Sequence, residues 1–308
     1  TSVFTNLDIS GDIDVDGTTN LDVVDIDGLL TASAAIEING PAGAGISEGL
    51  LIDWSTNLAR FLTYDSSSGS GIAFYTQPSG GSTTERLRIA ADGSLSTPTL
   101  GTSNVRFGVN AGNSIASGGN HNVLLGDEAG TALTTGDANV AIGFEALKTE
   151  DTNGLTVAIG YQALKTLNAG AESYNVAVGF QAGTAVTTGV QNTLIGGLAG
   201  DALQDADYNV ALGYAALTLD TLGSHSVAIG HDALATQNFT SATNSYNTAV
   251  GSQAGVAVTT GIQNTIIGGL AGDALITGSY NTTLGYKALS SDTAGNRSVA
   301  IGREALLN

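Results

Sequence analysis

Four groups of residues have types and spacings that could do chemistry. Asp12, Asp14 and Asp16 with Gly17 open like a calcium-binding loop, in which alternate carboxylates and a glycine turn wrap oxygen ligands round the ion. The twelfth position of such a loop needs a bidentate Glu and here is Val23, so the alternating Asp read as the solvated face of a strand. His225-Ser226 and His231-Asp232 carry the residue types of a hydrolase, but a nucleophile also needs a base and an oxyanion site in a formed cleft. Asp127 with Glu128, and Glu145 with Glu304, offer the paired carboxylates that glycoside hydrolysis uses, at positions where other side chains also occur. The doublets Gly196-Gly197 and Gly268-Gly269 have no following Lys or helix with which to cradle a phosphate. The expectation is a chain that is not an enzyme, with no catalytic residues, no metal site and no cofactor.

These residues sit in a chain composed for sheet. Its 308 residues include 43 Gly, three Pro, no Cys and no Met, and 12% are charged, against roughly 25% in an average globular domain. Small and β-branched residues of this kind favour strands and tight turns over exposed helices. The absence of Cys rules out disulfide stapling and thiolate metal sites. Lys and Arg total 9 against 28 Asp and Glu, a formal charge of -19, and a phosphate backbone calls for the opposite sign, so no nucleic acid is expected as a partner. No apolar run approaches the ~20 residues of a spanning helix, so no membrane insertion is expected either.

From Asn104 onward one pattern recurs: Asn, Ser or Thr, then Val or Thr, a small or aliphatic residue, an aliphatic residue, Gly, two variable residues, Ala, and Gly or Leu. The central glycines are Gly108, Gly126, Gly143, Gly160, Gly179, Gly196, Gly213, Gly230, Gly251, Gly268, Gly285 and Gly302, mostly 17 residues apart. The last eight form two sets of four displaced by 72 residues, so four coils make a superunit, present three times. Each superunit has two coils ending in Ala-Gly and then two ending in Ala-Leu; the longer spacings of 19 and 21 fall at the joints between superunits. Such regularity is the signature of a stacked repeat.

In NVAIG, Val140 and Ile142 share one strand face and Ala141 takes the other. The glycine turns the chain, and the Ala three residues later re-enters a shared interior. A Thr-Thr-Gly segment supplies a second turn, so each coil is expected to hold two short strands and two turns. One coil leaves strand edges unpaired above and below and is stable only when its neighbours cover it. Twelve coils at the ~4.8 Å strand spacing give a rod of roughly 50–60 Å. Asn at one place in nine coils is either a ladder of stacked side-chain amides or a turn residue. The core per chain is thin, with aromatics only after the glycine, at Phe144, Tyr161, Phe180, Tyr214 and Tyr286; packing the Val/Ile faces of several copies would thicken it.

The first third differs. TNLDISGDIDVDG and TNLDVVDIDG within 5–29 echo each other as alternating aliphatic and Asp residues, which makes 1–33 a fibrous β segment. Residues 34–100 hold the only Trp, Trp54, and read as a small β-domain, followed by the repeat domain 101–308. The widened joints, Leu167–Tyr174 and Ala235–Tyr246, are where recognition loops would bulge from a rod. There Tyr174, Phe239 and Tyr246 are candidate receptor contacts that could stack on sugar rings, or else cover the joint.

Coils reading SVAIG and NVAIG resemble the head repeats of trimeric autotransporter adhesins. The longer NxAIGYQAL form with Thr/Gly turns, the shaft-like opening and the segment ERLRIAADG look more like tailed-phage tail fibres and related virion appendages. The resemblance implies an all-β, elongated parallel β-solenoid (β-roll) of about twelve 17-residue coils, homotrimeric, preceded by the fibrous segment and small β-domain. It also implies an extracellular, virion-borne fibre that contributes to host-surface attachment. Its partners would be further copies of itself, other virion or tail proteins, and a host cell-surface glycan or protein. A bacterial adhesin head at the cell surface and a polysaccharide-degrading tailspike are the alternatives.

Overall fold

The computed structural model describes residues 100–307 without a break, together with Thr97 and the strands β1 (Ala35–Asn39), β2 (Gly49–Ser55), β3 (Leu58–Tyr64), β4 (Ile72–Thr76), β5 (Thr84–Ile89) and β6 (Leu95–Ser96). No helix occurs among the described residues. The fibrous reading of 1–33, with its Asp12, Asp14, Asp16 and Gly17, lies outside them. β1–β2–β3 and β4–β5–β6 are two separate antiparallel sheets. The chain divides into compact units at Thr1–Ser70 and Gly71–Asn308, a boundary that falls inside the stretch 34–100 read as one domain.

The repeat region is a parallel solenoid of twelve coils, here numbered 1 to 12 by their central glycines. Each gives one strand to a twelve-stranded sheet whose spatial order follows the chain. Neighbouring strands pair in register, Val157 with Val176 and Val140, and Ala158 with Ala177 and Ala141. The strand is three residues long, such as Val140–Ile142, shorter than the five that the motif suggests. The expected second strand is absent from most coils; only Gly223–Ser224 and Thr243–Asn244 pair on another side, beside the second joint. Elsewhere tight turns replace it, each opened by a bond such as Ala146 N–H to Gly143 C=O at 3.3 Å.

Positions are counted from the central glycine. The residue at -2 (Leu124, Ala141, Ala158, Ala177, Leu194) is fully buried, whereas the Val and Ile at -3 and -1 are half-buried and face outward. Alternation put them on opposite faces; the structure shows that the interior took the -2 residue, whether Ala or Leu. Large aliphatic side chains fill the inside of each 17-residue coil, and the Ala-Gly and Ala-Leu endings are two ways of supplying them. Both Gly130 and Leu147, at +4, have positive φ, 56° and 52°. In the Ala-Leu coils Leu147, Leu164, Leu217 and Leu234 fill the centre from +4, fully buried. In the Ala-Gly coils Leu133, Val186, Leu203, Val258 and Leu275 fill it from +7, also fully buried. A methyl at Gly130 would sit 2.8 Å from both Leu124 and Leu133, so the glycine is the space the neighbouring leucines need.

All twelve central glycines lie at φ between 120° and 144°, a region closed to other residues. They stack directly over one another: a Cβ on Gly213 would meet the Gly230 carbonyl at 2.5 Å, whereas one on Gly302, in the last coil, meets nothing within 4 Å. Gly213→Ala should therefore lower the denaturant midpoint well below that of Gly302→Ala, although both carry the backbone strain of about 1–3 kcal/mol. Equal midpoints would contradict the close stacking.

Candidate functional site

Side-chain chemistry in the solenoid is arranged in columns along its axis. The first is the Asn column at -4, which is buried. Asn192 Oδ1 accepts the Asn209 N–H at 3.0 Å, Asn175 Oδ1 accepts the Asn192 N–H at 2.8 Å, and Asn192 Nδ2 donates to the Ala206 carbonyl at 2.7 Å. The same pattern joins Asn104 to Asn122, Asn122 to Asn139, Asn247 to Asn264 and Asn264 to Asn281. It is a ladder, but mostly of side chain to backbone rather than amide to amide. A second ladder, on the outer turn at -6, was not read from the sequence. Asp137 Oδ1 accepts the Asn120 N–H at 2.6 Å, Asp207 Oδ1 the Val190 N–H at 2.7 Å and Asn296 Oδ1 the Ser279 N–H at 2.8 Å. A short oxygen-bearing residue at this place in nine of the twelve coils was its visible signal.

At each joint the Asn column is relayed by hydroxyls. Thr156 and Ser226 stand where Asn is expected, Thr156 Oγ1 meets Ser173 Oγ, and Ser226 Oγ meets Ser245 Oγ at 2.6 Å. Gln237 Nε2 donates to Ser226 Oγ and to Asp220 Oδ2 at 2.8 and 2.6 Å, and Gln237 Oε1 accepts from Asn247 Nδ2. Asp220 Oδ1 takes the Gly223 and Phe239 N–H groups; Glu150, at the same +7 position in coil 3, takes those of Asn153 and Ala169. These fully buried carboxylates close the turn at a joint with donors from the backbone.

The structure separates the residues that a hydrolase would join. The Ser226 hydroxyl is spent on Ser245 and Gln237, while the His225 ring lies between Tyr208 and Tyr246 with centroids 4.8 and 5.0 Å away. His231 Nδ1 lies 3.2 Å from Asp232 and its ring stacks on Tyr214. Glu145 and Glu304 belong to coils 3 and 12, roughly 40 Å apart at the strand spacing. The second residue of each glycine doublet lies beside a tyrosine ring of the next coil: a Cβ would be 3.4 Å from Tyr214 at Gly197 and 3.7 Å from Tyr286 at Gly269.

Of the three candidate receptor contacts, Tyr174 and Tyr246 are exposed, at 54% and 50%. Phe239 is not: it is 6% exposed, turned inward over Gly223, with its carbonyl accepting from the Thr221 hydroxyl and the Leu222 N–H. Its ring seals the widened second joint, and it is withdrawn as a contact. Tyr174 and Tyr246 lie in one column at -5, which also contains Tyr208 and Tyr280. A second exposed aromatic column follows the glycine, where Phe144, Tyr161 and Phe180 stack with centroids 5.3 Å apart and interplanar angles of 19° and 9°.

Beside that stack lies an ion network. Lys148 pairs with Glu128 and with Glu145, and Lys165 pairs with Glu145 at 2.6 Å; Gln162 Nε2 donates to Glu145 at 2.8 Å and Gln181 to Gln162 at 2.9 Å. Glu145 is 8% exposed. Hydrogen bonds from Lys148, then Lys165 and Gln162, hold its carboxyl down to about 2 from an ordinary 4.5, against the upward push of burial. The contacts with Glu128 and Glu145 raise the Lys148 ammonium. Because the folded value of Glu145 lies below the unfolded one, its contribution is complete above pH 4.5 and disappears as pH falls through about 2. An NMR titration should place Glu145 near 2, and Lys148→Ala should raise it toward the ordinary range; an ordinary value in the intact protein would rule out the network. Compared with known proteins, the chain matches no family model, no curated protein and no solved structure.

Proposed function

We propose that this chain is a structural and adhesive segment of a tailed-phage tail fibre or related virion appendage, working as a homotrimer that spaces and contributes to attachment at a host surface. The observation that carries this reading is the outward face of the twelve-stranded sheet. Columns of Val, Ile, Leu and Thr at -3 and -1 run the length of the sheet, half-buried in the middle coils and, in the last, 64% exposed at Val299 and Ile301. Monomeric soluble proteins seldom leave contiguous apolar strips of this size uncovered, and copies packed face to face would cover it. The in-register stack supports the mechanical part of the reading, because every coil is held on both sides by neighbours in sequence and load passes along the axis through parallel hydrogen bonds. The acidic surface suits neutral or cation-bridged receptors over polyanions.

Light scattering combined with small-angle X-ray scattering tests this. Three chains of 30.7 kDa give a rod of about 92 kDa, whereas a compact particle of one chain's mass would overturn the trimer and the fibre with it. Ile159→Asp, which places a charge on the outward strip, should shift the assembly toward 30.7 kDa while leaving the sheet signal in circular dichroism unchanged.

A further inference from the structure

The column at -5 has a composition that its backbone conformation does not favour. Every residue in it from Ser103 to Arg297 has positive φ; from coil 5 to coil 12 the values lie between 48° and 63°. Gly, Asn and Asp adopt this left-handed conformation most readily, and a bulky side chain resists it. Coils 5, 7, 9 and 11 nevertheless carry Tyr174, Tyr208, Tyr246 and Tyr280, between 46% and 54% exposed. Coils 6, 8, 10 and 12 carry Gln191, His225, Gln263 and Arg297, each with a side-chain hydrogen-bonding group. The alternation of Tyr with a nitrogen-bearing residue is strict over these eight coils and continues across the 21-residue joint.

We propose that this column is a binding track for a linear, neutral, extended polysaccharide lying along the solenoid axis; the proposal rests on the attachment reading and names its ligand. Tyr rings two coils apart are about 10 Å from one another, close to the advance of two residues in an extended β-linked hexopyranose chain. Alternate sugars then meet a ring, whose face and edge suit pyranose C–H groups, and the sugars between meet the amide, imidazole or guanidinium groups. The four Tyr side chains are 46–54% exposed, with Arg297 over the Tyr280 ring at 5.3 Å from its centroid. His225 packs 4.8 Å from Tyr208 and 5.0 Å from Tyr246, tilted 37° and 47° to them, rather than lying flat as do the rings of Phe144, Tyr161 and Phe180. The His225 Nδ1 is buried between its neighbours without a hydrogen-bond partner. A net charge of -19 disfavours a polyanionic chain. The column stands outside the strand, at the turn that leads into it, so packing copies on the Val and Ile columns leaves it at the margin.

The test is calorimetric titration of the full chain with cellohexaose, mannohexaose and xylohexaose, each against its disaccharide. At least one hexaose is expected to bind ten-fold or more tighter than its disaccharide. The double variant Tyr208→Asn/Tyr246→Asn, which removes two rings at positions where Asn suits the backbone, should weaken that binding at least ten-fold with unchanged mass and thermal midpoint. Phe180→Ala, in the other column, should bind as the unmodified chain does. Absence of binding by all three hexaoses, or equal binding by the double variant, overturns the proposal; so does dissociation of the assembly by that variant, which would assign the column to contacts between copies. Adsorption of the labelled chain to bacterial cells reports on attachment separately: cells bound equally by chain and double variant would leave attachment standing and remove the track.

Discussion

The rest of the solenoid depends on one hydrogen bond, from the backbone N–H at -4 of one coil to the side-chain oxygen at -4 of the coil before. At this point the chain passes from an exposed turn into the strand, and both neighbouring carbonyls are already committed. The Val210 N–H goes forward to the Ser226 carbonyl at 2.9 Å and the Gly213 N–H goes back to the Ile195 carbonyl at 2.8 Å. The N–H of Asn209, fully buried, has no backbone acceptor in reach and would cost about 1–3 kcal/mol unpaired. Asn192 meets it with Oδ1 and uses its own Nδ2 on the Ala206 carbonyl of the turn below the strand. No other short side chain offers an acceptor and a donor on one rigid plane. Where Thr156 and Ser226 replace Asn, the missing functions are supplied by Ser173, Ser245 and Gln237, and it is there that the chain has extra residues to supply them.

Once that bond sets the coil repeat, the interior has a fixed cross-section, and volume becomes the next constraint. The glycine column brings successive backbones so close that any Cβ would collide with the next carbonyl. The remaining space takes branched aliphatic side chains from -2, +4 or +7, as with Leu124 and Leu133 in coil 2 and Leu147 beside Ala141 in coil 3, with Ala at +3. A Leu at +4 is held in a left-handed conformation at about 1–2 kcal/mol of strain, which burial of the side chain, about 1.5–3 kcal/mol, offsets. Cavities cannot be shared with distant coils, so each level solves its packing with its immediate neighbours, as a one-dimensional stack requires.

Much of this was legible in the sequence and some was not, for identifiable reasons. The coil period, the glycine column and the burial of Ala at +3 followed from steric rules that hold whatever surrounds them. The assignment of faces did not, because alternation says which residues share a side and not which side closes; Ala141 rather than Val140 and Ile142 went inward because the coil is narrow. The second strand failed because the residues there, at +2 and +4, take left-handed φ that no strand tolerates, although Glu145, Gln162 and Leu147 carry no mark of it. Phe239 was left open between contact and cover because an aromatic in a long joint reads alike either way; Asp220, which takes its N–H, settles it as cover from 19 residues away. Glu150 and Asp220 drew no reading from the sequence, since a buried carboxylate satisfied by backbone donors has no signature there.

The same rules that fix the inside release the outside. Positions -5 and +1 carry no ladder bond through their side chains and no interior volume, so their residues are free to change without disturbing the stack. They do change between superunits, in a way that the interior does not. Coils 1 to 4 carry Ser103, His121, Ala138 and Leu155 at -5, while coils 5 to 8 and 9 to 12 share the Tyr, nitrogen-bearing, Tyr, nitrogen-bearing order. At +1 the order is reversed: the continuous stack of Phe144, Tyr161 and Phe180 belongs to coils 3 to 5, and Gly197, Ser252 and Gly269 interrupt it further along. A duplicated scaffold whose core repeats faithfully while its two outer columns diverge in opposite directions has its individuality in those columns. Strain at -5 favours Asn or Gly in every coil, and coils 5 to 12 carry bulky side chains there all the same.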